Sequence, residues 1–293
     1  MVETAFSPGD GLDAIGVQYW EPPEHLRYFF GAIYHFSVRL TNYSDVTRAD
    51  MPQMRFMLTA RGEYQFHDGR RRATPEICML GATMGATRFF IKEEASVLGV
   101  SVLPLGWLAL GCGSADRWVD NLYDMEAVSG AHYRDMLARL RAAPRLEEAI
   151  AQLWTFLEQQ LAPVPQSLVE LVSKIDQWLG ENDSPRIEDI VEATGLSARQ
   201  LARYTNRLYG APPKFLARKY RALRCASQIV LDKKSWTELC ADGCFYDQSH
   251  FIREIKQFLG LTPHQLLRDP TMLARLTVQR RALTGIVKLN RIS

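Results

Sequence analysis

Cysteine is scarce in this chain and never paired: Cys78, Cys112, Cys225, Cys240 and Cys244 are odd in number, scattered, and show no Cys-x-x-Cys spacing. That excludes a disulfide framework and predicts reduced thiols. Cys240 and Cys244 stand one helical turn apart, but only His250 lies near enough in sequence to add a metal ligand, so small buried side chains are expected there and no metal. The first ten residues, Met1 to Asp10, carry neither a basic leader nor an apolar run, so no secretory signal is expected and a cytoplasmic protein is. The longest uncharged stretch, Ala95 to Ala115, is interrupted by Pro104 and glycines, which predicts a buried strand turning into a helix rather than a membrane span.

Catalytic signatures are missing too. There is no Gly-x-Ser-x-Gly, no phosphate-cradling glycine loop and no His-Glu-x-x-His. His25, His35, His67 and His132 are too far apart in sequence to form the close pair a metal enzyme would use. The expectation is a non-enzyme without cofactors.

Acidic residues are unevenly short. Residues 1–166 carry 15 basic and 20 acidic side chains and residues 167–293 carry 20 and 13, so the halves differ in sign, −5 against +7. Leu196 to Lys234 holds ten Lys/Arg against the single acid Asp232. Such a surface attracts a polyanion by releasing counterions, although a run of charge can equally be a solvated helix face.

An internal duplication decides between these. At an offset of fifty, Leu201 aligns with Phe251, Arg203 with Arg253, Gly210 with Gly260 and Pro213 with Pro263. Before these helices the offset is forty-nine, which places a one-residue indel in a turn. Each copy reads as helix, tight turn, helix. In the first, Ile187 to Thr194 stops at Gly195, and Ser197 caps a helix from Ala198 whose Leu201, Tyr204 and Leu208 form an inward stripe. In the second, Ser235 to Asp242 ends near Gly243, and Asp247 caps a helix from Gln248 with Phe251, Ile255 and Phe258 inward. Arg199, Gln200 and Arg203, then Gln248, Ser249, His250 and Arg253, face outward in the first turns, with side-chain chemistries suited to base edges in a major groove. Arg207, Lys214 and Lys256 are placed for phosphate. A helix over Lys214 to Leu231 would tie the units together, and two recognition helices about 34 Å apart would enter successive major-groove segments.

Residues from about 167 to 268 resemble the AraC/XylS-type regulators, most clearly in Cys244-Phe-Tyr-Asp-Gln-Ser-His-Phe-Ile-Arg-Glu-Ile-Lys-Gln-Phe-Leu-Gly-Leu-Thr-Pro-His-Gln-Leu-Leu-Arg268. Cys244 stands where that family usually has Gly, Cys240 where it has Ala, and Thr205 and Ile255 where it has Phe. The resemblance implies a sequence-specific DNA-binding transcription regulator, with base reading at Arg199, Ala202 and Arg203 and at Gln248, Ser249 and Arg253. Double-stranded DNA is the implied partner. RNA polymerase and a small-molecule effector are candidate partners, and a homodimer is expected.

The N-terminal half reads as short strands over 20–105, including Arg55 to Ala60, Glu63 to His67 and an Asp68-Gly69 hairpin, then helices including Arg145 to Leu161 with Leu146, Ile150, Leu153 and Leu157 on one face. It looks like the cupin-like sensor of that family, which binds an effector, dimerises, or does both. The expected fold is α+β: residues 1–162 as a cupin-like β-barrel to about 110 with a helical connector at 116–161, a linker at 163–166, an all-α domain of two helix-turn-helix subdomains at 167–270, and a basic extension at 271–293. Arg70, Arg71 and Arg72 are either an anion site or, more simply, a charged sheet edge. Two rival functions remain at this stage: a protein-interaction module with a degenerate helix-turn-helix pair, and a metal-dependent cupin enzyme fused to a DNA-binding domain.

Overall fold

The computed structural model describes residues 14–240, 245–268, 271, 280 and 283–292. Its first half contains two antiparallel sheets packed face to face. The larger joins β1 (Ile15–Trp20), β2 (Phe30–Val38), β4 (Gln53–Met57), β7 (Ile77–Leu80), β9 (Ala95–Val102) and β10 (Leu122–Asp124) in the order β1-β2-β9-β4-β7-β10. The smaller joins β3 (Tyr43–Thr47), β5 (Gly62–Gln65), β6 (Arg71–Ala73) and β8 (Thr87–Ile91) as β3-β8-β5-β6. The expected barrel is thus a cupin-like pair of sheets with no hydrogen-bonded closure among the described residues. β10 extends the sheet past residue 110, where the sequence pattern had already turned helical. The Asp68–Gly69 hairpin forms as read, with Gly69 at φ 86° and β5 paired to β6.

Alternation sends the side chains of the central strands to two covered faces. On β4, Met54 and Phe56 point to the helices α3 (His132–Ala142) and α4 (Leu146–Gln159), while Met57 points between the sheets. Both faces are covered, and the one between the sheets also carries the buried polar side chains Gln53 and Arg55. Ile150, Leu153 and Leu157 of α4 are buried in this core. The Ala95–Ala115 stretch is β9 followed by α1 (Pro104–Ala109), as its Pro104 implied, and a short α2 (Met125–Ser129) precedes α3. No helix among the described residues is long and apolar enough to cross a membrane.

The second half is helical: α5 (Gln166–Glu181), α6 (Ile187–Thr194), α7 (Ala198–Tyr209), α8 (Pro213–Leu231), α9 (Trp236–Cys240), α10 (Gln248–Leu259) and α11 (Pro263–Arg268). Beyond them, α12 (Lys288–Ile292) turns back onto α5 and the sandwich, with Leu289 and Asn290 buried. The described part of the basic extension is therefore packed rather than solvated. The metal reading of Cys240 and Cys244 falls outside the described residues, and among those described no His/Cys/Asp/Glu cluster could hold a metal ion.

Candidate nucleic-acid interface

Both repeat units fold around local signals already visible in the sequence. Gly195 takes the left-handed conformation at φ 68° and ends α6. Ser197 and Gln200 form a reciprocal capping box at the start of α7, and the Asp247 carboxylate accepts the His250 backbone N–H at 2.6 Å at the start of α10. Inward, Phe251, Ile255 and Phe258 are fully buried, as are Leu201 and Leu208. Tyr204 departs from the expected stripe: it is only half-buried beneath the Arg203 guanidinium, and Thr205 and Tyr209 fill the core in its place. Thr205 tolerates full burial because its hydroxyl donates to the Ala202 carbonyl at 3.2 Å.

Arg199, Arg203, Gln248, Ser249 and Arg253 are exposed on the first turns of the two helices, and Arg207, Lys214 and Lys256 are exposed beyond them. Two of the outward residues are otherwise engaged. The Gln200 amide oxygen accepts both the backbone N–H and the hydroxyl of Ser197, leaving only its NH₂ toward solvent. His250 is half-buried, edge-on to Phe245, with one ring nitrogen facing the Tyr246 N–H and the other 3.2 Å from Glu254 Oε1. The exposed Tyr246 ring, 94% accessible beside the start of α10, is a candidate contact that no spacing rule singles out.

The basic run is less of a surface than its composition suggests. Arg218 and Arg221 turn inward to the carboxylate of Glu254, a side chain only 1% exposed, and Arg221 also lies over the Phe245 ring. These cations hold the Glu254 carboxyl below the usual range despite its burial. Arg224 donates to the Leu179 carbonyl of α5 at 2.8 Å. Lys219 is buried against the sandwich, donating to the backbone carbonyls of Asp50 at 2.8 Å and Thr83 at 3.0 Å, and burial lowers its ammonium to about 8.

The sandwich also meets the far ends of both repeat helices. Gly210, after α7, sits at φ 80° with the site of a Cβ 2.7 Å from Val119 Cγ1. Gly260, after α10, sits at φ 75° with that site 2.5 Å from Val46 Cγ1 and 3.0 Å from Ala86. Backbone bonds close the second contact, from Ala49 N–H to the Phe258 carbonyl at 2.6 Å and from Ala86 N–H to the Gln257 carbonyl at 2.9 Å. The repeat glycines thus serve two ends at once, capping their helices and admitting the other half of the molecule.

Two capped helices of the same design, fastened to one long helix and presenting basic and amide side chains at their free ends, define a tandem helix-turn-helix domain. Residues 190–269 match the family model described as a helix-turn-helix domain. The match shows a helix-turn-helix domain over that part of the chain. No curated protein matches the chain. Among solved structures, ToxT from Vibrio cholerae strain SCE256 with an unsaturated fatty acid bound is 10% identical with a TM-score of 0.46, covering 80% of this chain and 94% of that one. ToxT from Vibrio cholerae O395 is 10% identical with a TM-score of 0.45, covering 89% and 99%. The AraC-like transcriptional activator CuxR is 17% identical with a TM-score of 0.34, covering 75% and 85%. None of these three likenesses is close enough to carry an argument about this chain.

Proposed function

We propose that the chain is a sequence-specific transcription regulator that reads DNA with α7 and α10, and that residues 1–162 control how residues 167–270 are presented. The observation that carries this reading is the polarity of the two helices: their capped N-terminal turns are exposed and basic, while their C-terminal ends are held by the sandwich. Base readout rests on Arg199, Arg203, Gln248, Ser249 and Arg253, with Gln200 and His250 in reduced roles because their hydrogen-bonding capacity is partly used. Arg207, Lys214 and Lys256 neutralise phosphate. Because both reading helices are docked on one partner surface, a ligand that shifts the sandwich alters both together. A second copy of the chain, RNA polymerase and a small-molecule effector are the further partners.

Selection of random duplex DNA on the full chain tests the reading. An enriched motif of two blocks one helical turn apart is expected, and no enrichment by either the full chain or residues 166–293 would overturn it. On the selected site Arg253→Ala should cost about 1–3 kcal/mol and relax one base, whereas Lys256→Ala should weaken all sequences alike. Identical behaviour of the two variants across random sequences would remove Arg253 from the readers.

A further inference from the structure

Arg280 and residues 283–292 come after every helix of the helix-turn-helix domain, yet they are seated between the two halves of the molecule. Leu289 of α12 belongs to a core that also includes Met51 and Leu103 of the sandwich half and Ile175 and Trp178 of α5. Toward α5, Lys288 Nζ donates to Glu181 Oε1 at 2.9 Å, and the Leu289 backbone lies 3.4 Å from the site of a Cβ on Gly180. Toward the sandwich, the buried Arg280 donates to the Asp50 carboxylate at 3.1 Å and to Ser101 Oγ at 3.2 Å, and the Gly285 N–H donates to Glu21 Oε1 at 2.7 Å.

Asn290 closes this contact. It is fully buried against β2, where a Cβ added to Gly31 would overlap its side-chain amide, so the strand carries glycine at the point where α12 arrives. The fit is close but the polar bonding is poor. Asn290 Nδ2 has only Met51 Sδ, at 3.8 Å, and Oδ1 has no hydrogen-bond partner among the described residues. A buried oxygen without a partner weakens the seat it occupies, so the segment is held by its shape and its apolar neighbours.

The two reading units differ in what steadies them. α10 is tied to α8 through the Glu254 cluster and the edge-on pair of Phe215 and Phe258, 5.5 Å between ring centres, and to the sandwich through the backbone bonds at Ala49 and Ala86. α7 leans on α5, where its Tyr209 hydroxyl donates to Asp176 at 2.6 Å, and α5 is the helix that α12 grips. We propose that the C-terminal segment is a clasp that positions the first reading unit: Asn290 and Leu289, seated against Gly31 and α5, fix α5 and through it α7, while α10 keeps its place without them. The proposal rests on the reading of α7 and α10 as the DNA readers, and it gives Asn290, which makes no proposed DNA contact, a positioning role in that reading.

A size exchange tests the clasp. Gly31→Val fills the space of the Asn290 amide and should unseat α12, while Asn290→Ala vacates a similar volume, so the paired variant should seat it again. Hydrogen–deuterium exchange of the full chain without DNA reads the first effect: Gly31→Val should speed exchange in α5 and α7 by about tenfold or more and leave α10 unchanged, and the paired variant should restore the original rates. On the selected operator, Gly31→Val should lose about tenfold or more of its preference for the block that Arg203→Ala relaxes and keep its preference for the block that Arg253→Ala relaxes, again with recovery in the paired variant. Equal acceleration of α7 and α10, unchanged exchange in both, no recovery in the paired variant, or a loss shared by both blocks overturns the proposal, as does a preference for both blocks that survives Gly31→Val. If Gly31→Val does not fold, Leu289→Ala, which alters the C-terminal segment alone, decides by the same comparison of α7 with α10. Exchange is measured without DNA, so a failed operator selection removes the DNA reading and a failed exchange result removes the clasp.

Discussion

Glu254→Ala should destabilise the chain by about 3 kcal/mol, although residue 254 faces no expected ligand. The carboxylate is 1% exposed and receives Arg221 at 3.0 Å, Arg218 and the His250 ring at 3.2 Å. Removing it leaves two guanidinium groups facing each other at the junction of α8 and α10. Arg218 is about a third exposed and recovers some hydration, which keeps the expected loss at the lower end for a broken buried pair. Urea unfolding followed by far-UV circular dichroism measures it, with Arg253→Ala one position away as the comparison that should cost under about 0.5 kcal/mol. A loss under about 1 kcal/mol for Glu254→Ala would mean that the ion cluster contributes little. The sign of the pH effect follows from the depressed carboxyl of Glu254. Its contribution is fully present above its unfolded value near 4.5 and is lost as pH falls through the lower, folded one.

Asp176→Asn should act in the opposite direction and stabilise the protein at neutral and alkaline pH. Asp176, on α5, lies under the last turn of α7, where the Tyr209 hydroxyl donates to it at 2.6 Å. Burial raises its carboxyl from 3.8 to about 7, and the Tyr209 hydrogen bond offsets only part of that rise. The folded chain therefore keeps a proton that the unfolded chain releases, and stability falls as pH rises between those two values. Asparagine keeps an acceptor for Tyr209 and carries no charge, so the gain at pH 8 should be about 2 kcal/mol, fading toward pH 4. Tm profiles of the two proteins over that range should converge in acid and separate in base. Parallel profiles would show that the Asp176 carboxyl is not perturbed.

Local signals made most of the helical half legible. Gly195, Ser197, Asp247, Gly210 and Gly260 act through neighbours within a few residues, so their spacing alone placed the turns and caps. The strands read at 55–60 and 63–67 are present but lie earlier, at 53–57 and 62–65, while the hairpin between β5 and β6 was readable for the same reason. What stayed hidden depends on distant partners. The ten-residue basic run looked like a polyanion surface because nothing in its own segment shows that Arg218 and Arg221 turn to Glu254, or that Lys219 turns to Asp50 and Thr83. Gln200 is a different case, since the Ser-x-x-Gln spacing that makes a capping box was present in the sequence and competes with the outward role assigned to that residue. Arg280 had no signal at all, since its partner Asp50 lies 230 positions earlier in the chain.

That separation bears on how the protein is made. A nascent chain can form its sheets and then its DNA-reading helices in the order they leave the ribosome, but the residue that seats beside Asp50 emerges only after both. A product cut short after α11 would carry every proposed DNA contact and lack Arg280. The contact between Arg280 and Asp50 is thus made only in chains translated past residue 280.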